Sequence, residues 1–476
     1  MKTSYKILAL SAATLVASAT TSLAQNYMRT SYFLEGSLYR HQLNPAFAPE
    51  RNYFSMPFVL GNMNIGLQST IGVSDFVYKT DNGGLTTFMN SSVDAGEFLN
   101  GLKERNRINQ TFDMNILSVG FRAWGGFNTI TLSMREAVRA NLPKDLFAFM
   151  KEGMTSGHTV YEFDDLGLSA MAYAELGLGH TRRINDDWVV GGKLKFLLGM
   201  ARADVKINHM KMTMGEDEWS IEGDGEMNAA VKGLTMPTKG DKNAAEPNDE
   251  IDWDNIDLDS PGLTGFGMAI DLGATWKVRD DLEVSAAIND LGFINWSNNI
   301  KANMGMKPWK FTGFQNIAVN PADGNTNKEL GDQFEDLGDE LEDCMNFKKT
   351  EEGGSRSTAL GATLNLGALY TLPWYKNLKF GFLSSTYING AYSWSEGRFS
   401  ANIAPVKCFD ASINYAVSSF GSSFGWMLNV HPKGFNFFIG SDHQFFKVTP
   451  QFVPVHHANM NICMGINFPI GKLKKI

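Results

Sequence analysis

Every second residue is apolar along about fourteen stretches of this chain, and this alternation constrains the fold more than any other feature. The clearest stretch is 165–180, where apolar side chains alternate with glycine, hydroxyl and charged side chains. Soluble strands rarely exceed about 10 residues. The tilted strands of outer-membrane barrels are about that long or longer and repeat every two residues. The pattern therefore predicts a wall with hydrocarbon on one side and water on the other.

The predicted strands are joined by connections that alternate between short and long. The strands are 62–73, 112–123, 128–135, 165–180, 188–201, 264–277, 282–290, 358–370, 378–387, 398–406, 410–418, 423–431, 435–441 and 458–468. The short connections hold the Gly, Asn, Asp and Pro residues of tight turns, and the long ones include 202–263 and 291–357. Outer-membrane barrels have short periplasmic turns, long outer loops and an even strand number. The predicted fold class is all-β, a transmembrane antiparallel up-and-down β-barrel of about 14 strands.

The N-terminus has the features of a secretory signal. Lys2 and Lys6 precede an apolar core at 7–19, and Ser22-Leu23-Ala24 matches a small-x-small cleavage site. Loss of the two lysines changes the formal charge from −9 to −11, which disfavours nucleic acid as a partner. We expect a signal peptide at 1–24, a periplasmic or plug segment at 25–61, the barrel at 62–468 and a tail at 469–476, in a monomer of the cell outer membrane.

Residues 25–61 contain several prolines, among them Pro45, Pro49 and Pro57. Because proline lacks the N–H group of a sheet ladder, this segment is not predicted to be a membrane strand. A segment of this length at the periplasmic mouth either folds back into the pore as a plug or extends as a tail.

The polar face of the predicted strands gives the side chains expected in the lumen. Charges of both signs are expected there, because unpaired buried charges are costly and pairing relieves that cost. The candidates are Arg122, Arg135, Glu175, Lys193, Lys195, Asp271, Lys277, Glu283, Asn429, His431, Asn436 and Asp442. They either only hold the barrel and a plug together, or a subset of them lines a permeation path.

The long connections are rich in acids and contain three predicted helices. Six acids crowd 249–259, and 329–343 holds eight acids and no base. Apolar residues at helical spacing predict a helix within 329–343, one at 143–151 and one at about 93–102. Carboxylates are calcium ligands, but 249–259 lacks the spacing and the glycine of an EF-hand. A solvated acidic surface is the preferred interpretation, and no metal site is predicted.

Most of the familiar catalytic motifs do not occur in the sequence. It has no Walker loop, HExxH or paired-cysteine motif, so no cofactor is predicted. Ser441, Asp442 and His443 are consecutive and are expected to point to alternate faces rather than converge; His456 and His457 follow in the last long loop. The three cysteines, Cys344, Cys408 and Cys463, lack metal-like spacing and are expected to be unpaired. The chain is not predicted to be an enzyme.

Several blocks resemble an uncharacterised family of outer-membrane barrels from the Bacteroidota. They are Asn44-Pro45-Ala46 with Pro49, the runs 191–199 and 289–296, Ile270-Asp271-Leu272-Gly273 and the run 437–442. At greater distance that family is similar to FadL-type fatty-acid transporter barrels and to the PorV and PorP barrels of type IX secretion. The resemblance implies fourteen strands and an N-terminal hatch, in which Asn44, Pro45 and Ala46 would be the hatch residues. It implies no other ligand-binding residue and no assigned activity.

The sequence is compatible with two functions of different classes. The first is binding or transport of a small hydrophobic molecule across the outer membrane. The second is a non-conducting surface scaffold or secretion-system accessory that binds partner proteins through its long acidic loops. The first predicts an apolar pocket between plug and wall, and the second predicts a lumen filled by side chains.

Overall fold

The computed structural model describes residues 28–55, 62–80, 82–153, 159–216, 218–242, 248–305, 308–312, 340, 346–444 and 459–471. Their strands form a closed antiparallel barrel with fourteen wall positions, which confirms the predicted fold class. The wall strands are β1 (Asn52–Ser55 and Asn62–Ser69), β2 (Arg105–Ala123), β3 (Gly126–Pro143), β4 (Gly167–Arg183), β5 (Trp188–Met214), β6 (Gly265–Arg279), β7 (Leu282–Gly305), β8 (Phe347–Ala359 and Ala362–Thr371), β9 (Leu378–Ile388), β10 (Trp394–Val406), β11 (Phe409–Ser418), β12 (Gly421–Val430), β13 (Asn436–Gln444) and β14 (Asn459–Ile470). Both parts of β1 pair with β2 on one side and with β14 on the other, which closes the barrel.

Several strands extend beyond the predicted bounds. β5 and β7 have 27 and 24 residues, because their upper halves continue past the wall at the end where the long loops lie. There a further strand, Trp219–Val231, pairs with both of them, directly above the place that β6 fills lower down. The region 202–263, predicted as one long connection, is therefore partly strand. The wall also begins at Asn52, ten residues before the first predicted strand.

The extended sheet carries an apolar core of its own at the long-loop end. Val205, Met227 and Ala302 lie in one row on one face of this sheet. They belong to a cluster with Tyr161, Ile207, Ile221, Met236, Ile251 and Phe347, most of which are buried. Short strands at Val160–Glu162, Leu234–Thr235, Asp257–Leu258 and Trp309–Phe311 contribute to this region. We call this part of the molecule the surface lobe.

Two of the predicted helices are confirmed, as α1 (Ala95–Asn100) and α2 (Lys144–Glu152). The Asp94 carboxylate accepts the Glu97 N–H at 2.8 Å and caps α1, and Pro143 precedes α2. Short 3-10 turns lie at Arg29–Ser31, Arg40–Gln42, Val73–Asp75, Lys239–Lys242, Trp253–Asn255 and Gly390–Tyr392, and a small hairpin pairs Val77–Lys79 with Leu85–Thr87. Among the described helices, none has the length and apolar character needed to cross a membrane.

Some sequence predictions fall outside the described residues. They are the signal peptide at 1–24, the acidic helix within 329–343 apart from Glu340, Cys344, the pair His456-His457 and the last five residues of the tail.

The outward face of the wall is apolar around the barrel. Large apolar side chains exposed on it include Leu176, Leu194, Ile270, Leu291, Leu366, Phe382, Ile413, Leu428 and Ile462. Aromatic rings gather near the short turns: Trp188 stacks on Trp276 with ring centroids 5.5 Å apart, and Trp124 and Trp374 are exposed. The alternation in the sequence therefore separates an apolar exterior from a polar bore.

Candidate functional site: the bore and the N-terminal segment

Residues 28–50, called the N-terminal segment from here on, lie inside the barrel and are almost entirely buried. Side chains from well-separated parts of the wall hydrogen-bond to it. The Tyr39 hydroxyl donates to Asn467 at 2.6 Å, and Gln42 Nε2 donates to Asn115 Oδ1 at 2.9 Å. Tyr32 lies 3.0 Å from Ser285 on β7. Contacts to β14, β2 and β7 locate the segment within the bore rather than against one side of it.

Apolar packing supports the same placement. Tyr32, Phe33, Leu43 and Phe47 form a cluster with inward side chains of β8 and β9. Met28, Leu34, Leu38 and Tyr39 pack against Tyr53, Phe127, Met427, Phe438 and Cys463. The segment alternates these apolar side chains with polar ones, so it contacts apolar and polar wall residues together.

The tripeptide Asn44-Pro45-Ala46 lies against two glycines of the wall. A Cβ atom at Gly191 of β5 would collide with the Pro45 carbonyl, and one at Gly273 of β6 would collide with the Asn44 side chain. The Thr181 hydroxyl donates to the Pro45 carbonyl at 2.6 Å, and the Asn44 carboxamide oxygen accepts the Ala46 N–H at 2.9 Å. The absence of side chains at the two glycines is what allows the backbone to approach the wall.

The sequence blocks that carry the family resemblance meet at this contact. Gly191 comes from the run 191–199 and Gly273 from the block 270–273. Asn289, from the run 289–296, donates to the Leu43 carbonyl at 2.8 Å. Blocks that are far apart in sequence thus form one docking surface for residues 43–46.

A buried charge cluster lines the bore on β2 to β7. Its members are Asp113, Arg135, Glu175, Lys193, Lys195, Asp271 and Asp290, none of them more than 6% exposed. Lys195 Nζ lies 2.6 Å from Asp290 Oδ1 and 2.8 Å from Asp271 Oδ2. Arg135 lies 2.9 Å from Glu175 and 3.2 Å from Asp290. Charges of both signs pair here because a lone charge is strongly disfavoured when it is buried.

Sequence reasoning named five members of this cluster and missed Asp113 and Asp290. Asp113 occupies an inward-facing position in the two-residue repeat of β2, so the alternation alone was enough to predict it. Asp290 was hidden by a β-bulge: Asp271 opposes both Asn289 and Asp290, and Asp290 has a φ of 61°. The bulge reverses the alternation and points a residue of outward parity into the bore.

A second charged group surrounds Arg29 of the N-terminal segment. Arg29 Nε lies 3.2 Å from Glu396 Oε1, and Arg398 Nη2 lies 2.7 Å from the same oxygen. The Asp442 carboxylate accepts the backbone N–H groups of Arg29 and Thr30 at 2.8 and 2.6 Å. Of these wall residues, only Asp442 was a candidate from the sequence.

His443 faces the same group because β13 has a bulge at this point. Gly425 of β12 opposes two residues, Asp442 and His443, so both point inward although they are consecutive. His443 Nε2 lies 3.0 Å from Arg29 Nη2, which only donates, so Nδ1 carries the proton and donates to the Ser423 hydroxyl at 2.7 Å. The imidazole therefore does not withdraw a proton from Ser423.

Ser441, Asp442 and His443 do not form a catalytic arrangement. The Ser441 hydroxyl donates to the His443 carbonyl at 2.8 Å, Asp442 binds the N-terminal segment and His443 contacts Ser423. No nucleophile, base and acid are brought together by these three side chains.

The other sequence candidates occupy the ends of the bore. Arg122 Nη2 lies 3.4 Å from the Pro49 carbonyl, and His431 Nε2 lies 3.0 Å from Asp410. Asn436 donates to Asn429 at 2.6 Å, and both side chains are buried. Glu283 is half-buried, whereas Lys277 is exposed at a short turn and pairs with Asp280.

The acidic stretch 249–259 is partly neutralised by lysines. Glu250 lies 3.2 Å from Lys239 Nζ and 3.7 Å from Lys348 Nζ. Across the described ranges, no three His, Cys, Asp or Glu side chains are grouped so that they could hold a metal ion.

Two small cavities lie between the described residues of the bore. The larger has a volume of about 50 Å³ and is lined by Arg29, Arg135, Arg139, Asn289, Tyr387 and Trp394, among others. A water molecule needs roughly 10–15 Å³ on this measure, so the cavity has room for a few waters. Neither this cavity nor a second one of about 10 Å³ beside Met28 and Tyr39 is as large as the pocket that a hydrophobic ligand requires.

A family model matches residues 45–442, from Pro45 in the docking surface to Asp442 beside Arg29. The model is DUF5723, described as a family of unknown function. This chain belongs to DUF5723. No curated protein matches it.

Solved structures similar to this DUF5723 chain are outer-membrane barrels of low identity. The toluene transporter TodX of Pseudomonas putida is 8% identical, with 91% of this chain and 93% of that chain covered and a TM-score of 0.38. The toluene transporter TbuX of Ralstonia pickettii is 10% identical, with coverages of 92% and 100% and a TM-score of 0.39. A FadL homologue of Pseudomonas aeruginosa is 9% identical, with coverages of 89% and 91% and a TM-score of 0.36. Likeness at this level gives no residue roles to the DUF5723 chain.

Proposed function

We propose that this protein is an outer-membrane barrel that admits a small, mainly apolar molecule when its N-terminal segment leaves the bore. The segment is then a plug, with Asn44, Pro45 and Ala46 as its hatch residues. The observation that carries the proposal is that the segment fills the bore but is held there by side-chain contacts and packing. These contacts can be broken without breaking the backbone hydrogen bonds between wall strands.

The exterior supports placement in a membrane. A closed barrel leaves no strand edge unpaired, as a bilayer demands. Its outward apolar band, with aromatic rings near the short turns, matches the surface that outer-membrane barrels present to lipid.

An apolar group inside the bore favours an apolar cargo. Met171, Tyr173, Leu197, Ile294 and Trp296 cluster there, each less than 4% exposed. They lie behind the junction where β6 begins, at Gly265, and the strand Trp219–Val231 ends. At that junction the wall is joined through Thr264, whose carbonyl accepts the Ser297 N–H at 2.6 Å. At this height the wall passes from β6 to a different strand, Trp219–Val231. We propose that the cargo leaves the bore sideways into lipid at this place.

Neighbouring glycines of β5 provide a matched test. Gly191→Ala places a methyl group against the Pro45 carbonyl and is expected to push the hatch residues off the wall. Gly192→Ala points its methyl group to the other side, where the nearest atoms are 3.8 Å away. We expect uptake of the hydrophobic probe N-phenylnaphthylamine by cells to rise severalfold with Gly191→Ala and to stay unchanged with Gly192→Ala.

Limited proteolysis within residues 28–50 reports whether the plug has moved. If Gly191→Ala makes the segment cleavable and uptake still equals that of Gly192→Ala, the proposal that this segment controls passage is contradicted.

The scaffold function is the second candidate, and the filled bore favours it. The surface lobe, with its own apolar core, offers a folded platform outside the wall. Asp257 and Asp259 are exposed on it. The scaffold proposal predicts that changing both to asparagine removes co-isolated proteins and leaves probe uptake unaltered, whereas retention of those proteins would contradict it.

A further inference from the structure

The wall around Arg29 has the composition of a binding site for an organic cation. The Arg29 guanidinium carbon lies 4.6 Å from the centre of the Trp394 ring. Its nitrogens lie 3.2 Å from Glu396 and 3.0 Å from His443 Nε2. An aromatic face, a carboxylate and a neutral imidazole acceptor together match a flat cation with several N–H donors.

The wall alone is not electrically balanced at this site. Glu396 and Asp442 contribute two negative charges and Arg398 one positive charge, while His443 is held neutral by its contacts. Arg29 supplies the second positive charge. When Arg29 is absent, a buried carboxylate is left with too few cations, a state that proteins avoid.

One carboxylate oxygen of the site still lacks a donor with Arg29 in place. Glu396 Oε2 is buried and has no hydrogen-bond partner among the described residues, and the unprotonated His443 Nε2 lies 3.6 Å from it. The cavity of about 50 Å³ adjoins both Arg29 and Trp394. The site therefore has an unused acceptor and free space beside the guanidinium.

Asp442 extends the recognition to the backbone. Its carboxylate accepts the N–H groups of Arg29 and Thr30, in addition to the Thr30 hydroxyl. The wall thus contacts both the cationic head and the amides next to it, as a receptor for a guanidinium-bearing compound would.

We propose that Trp394, Glu396, Asp442 and His443 form a binding site for an organic cation of the guanidinium class, which Arg29 occupies in this structure. An external guanidinium compound competes with Arg29 and releases the start of the N-terminal segment. This site is independent of the apolar cargo, because it requires only the contacts around Arg29.

The first test uses Arg29→Ala, which removes the native occupant. Ethylguanidinium has the shape of the missing side-chain end, and N-ethylurea is its neutral counterpart. We expect a saturable rise in Tm of the detergent-solubilised variant with ethylguanidinium and none with N-ethylurea. Adding Glu396→Gln should weaken this binding roughly tenfold or more, as expected for a buried charge pair.

Arg40→Ala is the matched control on the same segment. Arg40 is buried and lies 4.1 Å from the Phe47 ring, and its Nε donates to the Tyr32 carbonyl. Glu35, Glu283 and Asp410 attract Arg40 electrostatically, but no ion pair within 4 Å joins it to a carboxylate of the described residues, so ethylguanidinium should raise the Tm of this variant less than that of Arg29→Ala. Equal effects of ethylguanidinium and N-ethylurea on Arg29→Ala, or no saturable effect, would overturn the site.

The second test keeps Arg29 and does not depend on the folding of Arg29→Ala. Ser31 is 4% exposed and becomes the label position as Ser31→Cys, with the three native cysteines changed to serine. Millimolar ethylguanidinium should increase the rate of maleimide labelling severalfold and saturably, and Glu396→Gln should abolish the dependence. An unchanged labelling rate would overturn the competition with Arg29.

Discussion

Lys195 lies at the centre of the buried charge cluster, and its replacement tests how much this cluster stabilises the protein. Its ammonium contacts Asp271 and Asp290 and is fully buried. Lys195→Met keeps most of the volume but leaves these carboxylates short of a cation. Because breaking a buried ion pair from one side costs about 3–5 kcal/mol, we expect a loss of that size in the free energy of unfolding in urea.

Lys277→Met is the control for this change. Lys277 is exposed at a short turn and its pair with Asp280 is open to solvent. Exposed pairs contribute little, so its unfolding midpoint should match that of the unmodified protein. A similar loss in both variants would show that the buried cluster does not stabilise the bore.

The position of each residue in its strand determines whether the sequence alone could identify it as a member of the site. Arg135, Glu175 and Lys195 follow the two-residue repeat of their strands, so counting along the chain finds them. Asp290 and His443 lie at bulges, where an extra residue shifts the repeat. Arg29 was missed because the prolines that follow it identify the segment as non-strand but give no residue contacts.

At the level of elements, the strand count and the fold class were predictable because an apolar exterior repeats on every wall strand. The extra strand Trp219–Val231 was not, because above the membrane-facing band its neighbours lose the apolar repeat. The pairing of this strand with β5 and β7 depends on contacts far apart in sequence. The start of the wall at Asn52 was missed for a related reason. A four-residue strand beside prolines is too short for an apolar repeat to be recognised.

The wall strands give a prediction about lipid contact. Leu366 lies in the middle of the lower part of β8 and its side chain is exposed outward, whereas Ile388 ends β9 at the long-loop rim. In a bilayer, an arginine near the midplane costs about 2–4 kcal/mol and one near the interface about 0–1 kcal/mol. Urea unfolding in lipid vesicles should therefore show a much larger loss for Leu366→Arg than for Ile388→Arg.

Equal losses at the two positions would mean that this face does not lie in hydrocarbon.

At the level of the whole molecule, the barrel and the N-terminal segment form one packed body. The wall supplies glycines, carboxylates and amides, and the segment supplies the backbone, the aromatic rings and Arg29 that fill the space between them. A cavity of about 50 Å³ between them accepts a few waters but no sizeable solute. We therefore infer that this segment closes an otherwise wide bore.

Ion conductance across a planar lipid bilayer tests that claim most directly. The chain that retains residues 28–50 is expected to insert without producing current steps, and a variant lacking them is expected to produce stable, stepwise openings. Steady conductance by the complete chain, or a folded deletion variant that stays silent, would contradict it.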